Sequence, residues 1–295
     1  DFEGHEGCNE VLNVTRPDIV SSVHDAYFEA GVDCVETNTF GANWSNLADY
    51  GIEDRIYELA FEGGRIAREA ADSFSTPEKP RFVLGSLGPG TKLPSLGHTT
   101  YENLKIAYYT AAKGLSDSGC DALLVETSQD LLQVKAAING CRQAIGETEQ
   151  DIVLIAQVTV ETTGTMLLGS EIGAALNTLE PMGIDLIGLN CATGPTEMSE
   201  HLRYLSKNAK VAISVMPNAG LPVLGANGAS YPLGPDELAL ALEGFVNDYG
   251  ISLVGGCCGT TPAHLKAVVD RVGGRPLPLR KIELEPAVAS LYQQV

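Results

Sequence analysis

Long apolar runs are missing from this 295-residue chain: none approaches the roughly 18 to 20 residues that cross a bilayer, so no membrane helix is expected. Basic residues are scarce. Lys and Arg number 19 against 38 Asp and Glu, a formal net charge of -19. That balance leaves no basic patch for nucleic acid or an anionic membrane surface. The acidity reads as a solubility device. No Gly-x-Gly-x-x-Gly fingerprint follows an apolar run, so a dinucleotide-binding sheet lacks its signature. No strand-like run ends in lysine, which removes Schiff-base chemistry of the aldolase kind. A disulfide framework is missing too, because the seven cysteines are odd in number and dispersed. No leader segment is recognisable at the start. These absences point to the reducing cytoplasm.

What is present is a repeat of two kinds of segment. Apolar, β-branched runs occur at 34–37, 82–85, 122–125, 152–156, 186–189, 211–215 and 251–254. Several are nearly continuous in apolar residues, as strands covered on both faces require. Helical periodicity lies between them, at 18–30, 52–71, 101–118, 131–145, 171–179, 197–207, 235–249 and 262–272. Alternating strands and helices without long linkers make an open doubly wound sheet or a closed (β/α)8 TIM barrel. The missing dinucleotide fingerprint favours the barrel. Seven strands are one short of eight, and the chain opens on a loop-like, Gly-rich stretch followed by a helix near Pro17. The first strand of the barrel is therefore expected to be absent from this chain. The barrel is assigned to residues 1–274. Residues 275–295, with Pro276, Pro278 and Pro286 and no clear period, read as a tail and linker toward a further domain.

The strand ends carry the chemistry, since barrel active sites form at the C-terminal ends of the strands. The last run leads into Gly255-Gly256-Cys257-Cys258-Gly259-Thr260-Thr261-Pro262. Thr261 suits a helix N-cap and Pro262 a first helical position. Two cysteines thus sit between a strand and a helix, with glycines on both sides to let the backbone turn. Cys191 ends another strand, two positions away in the expected barrel. Strands lie about 4.8 Å apart, so thiolates from both sides can meet one metal. Three sulfurs suit Zn²⁺ and leave its fourth position open, as in catalytic sites. On spacing alone a vicinal disulfide, two free thiols or packed small residues stay open, because the pattern is weaker than a Cys-x-x-Cys pair. Glu126, at the end of Leu123-Leu124-Val125, is a candidate acceptor for an ammonium group, or else a carboxylate bonded to loop amides. Asn218, in Pro217-Asn218-Ala219-Gly220, is a candidate metal or substrate contact, or a loop-bracing turn residue. Trp44 is a cap over the site or a packed aromatic. His5, His24, His98, His201 and His264 are taken as structural or solvated. Cys34 and Cys120 read as small buried hydrophobes.

Five stretches together carry a family resemblance: Gly7-Cys8-Asn9-Glu10 with Thr15-Arg16-Pro17-Asp18, Glu36-Thr37-Asn38-Thr39-Phe40-Gly41-Ala42, Gly188-Leu189-Asn190-Cys191, Pro217-Asn218-Ala219-Gly220, and 255–262. The chain resembles the homocysteine S-methyltransferase family over nearly its whole length. Within that family it resembles the N-terminal homocysteine-binding module of the cobalamin-dependent enzymes that make methionine. The tail from Glu285 to Tyr292 resembles the segment leading to the folate-binding module of those enzymes. The Asp-Gly-Ala-Met-Gly-Thr-like loop that opens the family is absent here. The resemblance implies a (β/α)8 barrel with Zn²⁺ on Cys191, Cys257 and Cys258, and the sulfur of L-homocysteine in the fourth position. It implies that Glu126 meets the substrate's amino group, that Asn218 occupies the metal when substrate is absent, and that Asn38 lies near substrate. The methyl donor implied is methylcobalamin, carried on another module of the same polypeptide and recharged from methyltetrahydrofolate. The alternatives are a stand-alone methyltransferase using S-methylmethionine or betaine, and a non-catalytic barrel whose structural zinc serves a docking role.

Overall fold

The computed structural model describes residues 2–225, 228–282 and 286–295. Glu285, in the tail stretch compared above, lies outside the described residues. The chain falls into two compact units, 1–155 and 156–295, with the boundary inside a strand.

The first unit begins with helices α1 (Leu12–Thr15) and α2 (Pro17–Glu29), followed by strand β1 (Cys34–Glu36). Then come α3 (Trp44–Ala48), α4 (Ile56–Phe74), β2 (Phe82–Leu87), α5 (Tyr101–Asp117), β3 (Ala122–Ser128), α6 (Leu131–Ile145) and β4 (Val153–Val158). The strand ladder is parallel, with Glu36 opposite Leu84 and Leu84 opposite Ala122. Leu123, Leu124 and Leu87 are buried, as expected of strands covered on both faces. Helix starts follow local rules. The side chains of Asn43, Thr100 and Asp130 accept the backbone N–H groups of Asn46, Asn103 and Leu132.

Two elements differ from the sequence reading. The first sixteen residues hold α1 and a 3-10 turn at Asn9–Val11 rather than open loop. Tertiary contacts select them: Cys8 and Val11 are buried, and Asn13 Nδ2 donates to the carbonyls of Asn38 and Leu59, both at 2.9 Å. The helix expected over 52–71 starts at Ile56, after a 3-10 turn at Glu53–Arg55, and continues to Phe74. Phe74 stacks on Phe28 at 5.6 Å, a contact that periodicity does not reveal.

The second unit holds α7 (Ile172–Leu179), β5 (Leu186–Asn190), α8 (Pro195–Asn208), β6 (Ala212–Met216), the antiparallel hairpin β7 (Val223–Gly225) and β8 (Gly228–Ser230), then α9 (Pro235–Tyr249), β9 (Leu253–Val254) and α10 (Pro262–Val272). The strands β5, β6 and β9 pair in parallel, Asn190 opposite Met216 and Val215 opposite Val254. The main sheet has seven strands, and their order is the chain order. The seven expected strand runs are these seven strands, displaced by a few residues at their ends. The hairpin was not anticipated. It has no strand-length apolar run, and its side chains are exposed. In the described part of the tail, Arg280 donates to the carbonyls of Ala209 (2.9 Å) and Val211 (2.6 Å) at the end of α8. Further on, Glu171 N–H donates to the Tyr292 carbonyl, and Ser170 Oγ to that of Leu291.

Close helix packing gives a direct test. A Cβ on Gly114 of α5 would stand 2.7 Å from the Tyr57 carbonyl oxygen of α4. Gly114→Ala is expected to destabilise the protein by about 1–3 kcal/mol in chemical denaturation, despite the better helix propensity of alanine. His24 supplies a pH test. It is buried on α2, and its Nε2 has no hydrogen-bond partner. Desolvation lowers its pKa from 6.5 to about 4, with Asp25 opposing the shift. The unfolded chain therefore takes up a proton first as pH falls from 6.5, and stability drops until about pH 4, where the effect levels off. His24→Leu is expected to remove a loss of at most about 3 kcal/mol over that window, read as a flatter profile of unfolding free energy against pH.

Candidate metal centre

Two short loops carry the cysteines, and a third loop lies between them. Cys191 follows β5 directly; Cys257 and Cys258 follow β9 after Gly255 and Gly256. Between these loops β6 runs on into Pro217-Asn218-Ala219, which hydrogen-bonds to both sides. Toward Cys191, the Met216 carbonyl accepts the Cys191 N–H at 3.1 Å and Asn218 N–H donates to the Thr193 carbonyl at 3.1 Å. Toward the pair, the Pro217 carbonyl accepts the Cys257 N–H at 2.8 Å and Ala219 N–H donates to the Cys258 carbonyl at 2.9 Å. Asn218 Oδ1 accepts the Cys258 N–H at 3.1 Å. Helix α10 beyond begins as the sequence requires, with Thr261 as N-cap and Pro262 at the first turn.

The three sulfurs meet as a result. Cys191 and Cys258 Sγ are 3.8 Å apart, Cys257 and Cys258 Sγ are 4.0 Å apart, and all three lie within 4.8 Å of one another. Four ligands placed tetrahedrally at about 2.3 Å from a zinc ion stand about 3.8 Å from each other. The donor set is soft and all three thiols are free, so the site fits Zn²⁺ in both spacing and chemistry. The backbone here is strained: Cys191 and Ala192 adopt φ of 57° and 59°, a region that side chains other than glycine seldom occupy.

The electrostatics of the thiols favour one early ionisation. The Cys258 thiol is held well below its usual range, first by hydrogen bonds from Cys191 and Cys257, with burial opposing and Tyr231 adding a further hydrogen bond. The Cys257 thiol is pushed up by its hydrogen bonds to Cys191 and Cys258 and by burial. The group is thus prepared to give up protons to a cation but not to carry three negative charges without one.

The remaining sequence candidates lie as follows. Asn218 joins the cysteines, with its side-chain oxygen bound to the Cys258 backbone. Glu126 and Asn38 belong to the first unit. Glu126, 4% exposed, accepts Ser86 Oγ at 2.6 Å and Thr127 Oγ1 at 3.4 Å. Thr127 is another residue at positive φ, 54°. Burial, and then the charge of Glu126, push the Glu36 carboxyl well above its usual range. Thr37, Thr39 and Ser86 complete this polar group: the Thr37 and Thr39 hydroxyls are 2.6 Å apart, and Thr39 Oγ1 donates to the Ser86 carbonyl at 2.7 Å. The Asn38 amide donates to the Asn9 carbonyl (2.8 Å) and to Asn13 Oδ1 (2.9 Å), which ties the β1 loop to the N-terminal turn. Trp44 lines a cavity with Phe40, Leu87, Pro89 and Tyr108. Sequence reading missed Glu36 and Tyr231. A carboxylate inside the apolar run Cys34-Val35-Glu36 was the available signal for the first. No local pattern marked the second.

A sequence profile described as homocysteine S-methyltransferase matches residues 1–272. The chain is 62% identical to methionine synthase of Mycobacterium tuberculosis and 60% identical to that of Mycobacterium leprae. Both matches take in all of this chain and 25% of the relative, so it spans about a quarter of the length of these proteins. Among solved structures it shares the fold of the homocysteine methyltransferase MmuM of Escherichia coli, metallated form. There the TM-score is 0.72 at 22% identity, covering 88% of this chain and 86% of that one.

Strain beside Cys191 is testable without any ligand. Ala192→Val places a β-branched side chain at positive φ and is expected to cost about 1–2 kcal/mol in thermal or chemical unfolding, whereas Ala192→Gly is tolerated.

Proposed function

Starting from the fact that this chain belongs to the homocysteine S-methyltransferase family, we propose that it is a zinc-bearing (β/α)8 module that methylates the thiol of L-homocysteine to give L-methionine. The observation that carries the reading is the cluster of Cys191, Cys257 and Cys258 sulfurs on strained, cross-braced loops. The strand order and the fold shared with MmuM support the barrel. Bound by these sulfurs, Zn²⁺ would keep the homocysteine sulfur a thiolate at neutral pH, where a free thiol with a pKa near 8.5 is mostly protonated.

The chain's own groups would divide the remaining work. Cys191, Cys257 and Cys258 supply soft donors and leave one position for the substrate sulfur. Asn218 fixes the Cys258 backbone and stands at the cysteine loops as a further contact. Glu126 is assigned to the substrate ammonium group. Ser86 fixes the orientation of that carboxylate through its hydroxyl. Asn38 is assigned to the substrate-facing loop that it braces. The methyl donor is methylcobalamin, presented by another module of the same polypeptide and recharged there from methyltetrahydrofolate. Residues 275–295 lead toward the folate-binding module. The quarter-length match to methionine synthases supports this division.

Metal analysis of the purified protein and of Cys258→Ser, with homocysteine titrated into each, tests the proposal. About one zinc per chain, depleted in the variant, with proton release when homocysteine binds, is the expected result. A folded, reduced protein that takes up no zinc would overturn it. Unchanged zinc coordination on adding homocysteine would instead favour a structural site.

A further inference from the structure

The chain returning from β8, Tyr231-Pro232-Leu233, is fastened to the loops that gather the cysteines. The Tyr231 ring lies on Gly259, where φ is 80° and an added Cβ would overlap the ring. Pro232 stands 3.2 Å from the Cβ position of Gly220. Leu233 N–H donates to the Ala219 carbonyl at 2.9 Å, and Ala219 N–H donates in turn to the Cys258 carbonyl at 2.9 Å. Leu233 is thus one residue of the β6 loop away from the cysteine pair.

His264, in the first turn of α10, meets this chain from the other side. Its Nδ1 lies 3.2 Å from the Thr261 backbone nitrogen and 2.9 Å from the Thr261 hydroxyl, and its Nε2 lies 3.0 Å from the Leu233 carbonyl. A backbone N–H can only donate and a carbonyl can only accept. Nδ1 is therefore the acceptor, and the ring proton sits on Nε2 and is donated to Leu233. Capping α10 needs the first contact alone, which a glutamate at this position would also make. The second contact needs a donor. Thr261 is joined to the cysteine pair by a tight turn, in which the Thr260 N–H (3.2 Å) and hydroxyl (2.7 Å) both donate to the Cys257 carbonyl. A closed ring of bonds thus runs from Cys258 through Ala219, Leu233, His264 and Thr261 and back along the turn.

We propose that His264 is a positioning residue whose Nε2–H latches the Leu233 carbonyl to α10, and so keeps the cysteine turn seated against the β6 loop, where the three sulfurs converge. Breaking one bond of a closed ring frees both segments that it joined, and the loops of such a site set how firmly its ligands hold a metal. The consequence for the metal rests on the zinc reading of the three cysteines; the latch itself does not.

The test compares wild type, His264→Gln and His264→Glu in two measurements: hydrogen exchange at the Leu233 amide, and the rate at which zinc passes to a chromogenic chelator. Glutamine carries an acceptor oxygen and a donor nitrogen and can serve both contacts. Glutamate serves the cap and suits the helix N-terminus, but sets a second oxygen against the Leu233 carbonyl. In His264→Glu the Leu233 amide is expected to exchange about threefold to tenfold faster and zinc to leave faster by a similar factor, with the rest of α10 exchanging as in wild type. His264→Gln is expected to stay within about twofold of wild type in both measurements. Wild-type exchange at Leu233 in His264→Glu would overturn the proposal and leave His264 a helix cap only. So would an equal rise in both variants, or a rise along the whole of α10. Faster exchange at Leu233 with unchanged zinc release would overturn the positioning role. If wild type takes up no zinc, the metal reading fails, and Leu233 exchange in the same samples still decides the latch.

Discussion

The site depends on one loop being hydrogen-bonded on both sides. Residues 216–219, at the end of β6, supply carbonyls to Cys191 and Cys257 and N–H groups to the carbonyls of Thr193 and Cys258. Parallel strands impose this: each strand end continues the ladder of its neighbours for a residue or two before the chain turns away. Pro217 sits where its missing N–H costs nothing, because its carbonyl is the group that is used. Asn218 adds a side-chain acceptor for the Cys258 N–H, which would otherwise lie idle at the start of the turn. The Cys191 sulfur and those of the Cys257–Cys258 pair, more than sixty residues apart in sequence, are thereby set at metal-ligand spacing by backbone bonds rather than by contacts of their own.

That arrangement accounts for the strain nearby. A chain leaving β5 must present Cys191 Sγ toward the neighbouring loops and then enter α8 at Pro195, with few residues in between. Cys191 and Ala192 take up positive φ to do so. Such conformations persist only when the surroundings over-determine them. Here the Met216 and Thr193 hydrogen bonds on either side of the strained pair do that. In the first unit Thr127, at positive φ, likewise stands beside a buried carboxylate, that of Glu126.

Buried charge is handled differently in the two places. The cysteine loops gather three acids that a cation can neutralise together. At Glu126, hydroxyls of Ser86 and Thr127 donate to the carboxylate, and burial with the Glu126 charge pushes the neighbouring Glu36 carboxyl above its usual range.

By itself the sequence determined the alternation of elements, the seven parallel strands and the placing of Cys191, Cys257, Cys258, Asn218 and Glu126 at strand ends. These follow from hydrophobic period, glycine, proline and capping residues, which act over a few neighbours. The family itself was legible in the motifs around Asn38, Cys191 and the Cys257–Cys258 pair. The tertiary structure decided what depends on partners distant in the chain. It turned the N-terminal sixteen residues into helical turns through Asn13, carried α4 on to Phe74, and folded an exposed hairpin with no apolar period of its own. It also committed the Asn38 amide to Asn9 and Asn13 and brought the Tyr231 side chain against Gly259. No pattern of spacing encodes such contacts, because each is fixed by the meeting of two segments whose separation is set by the fold and not by local propensity.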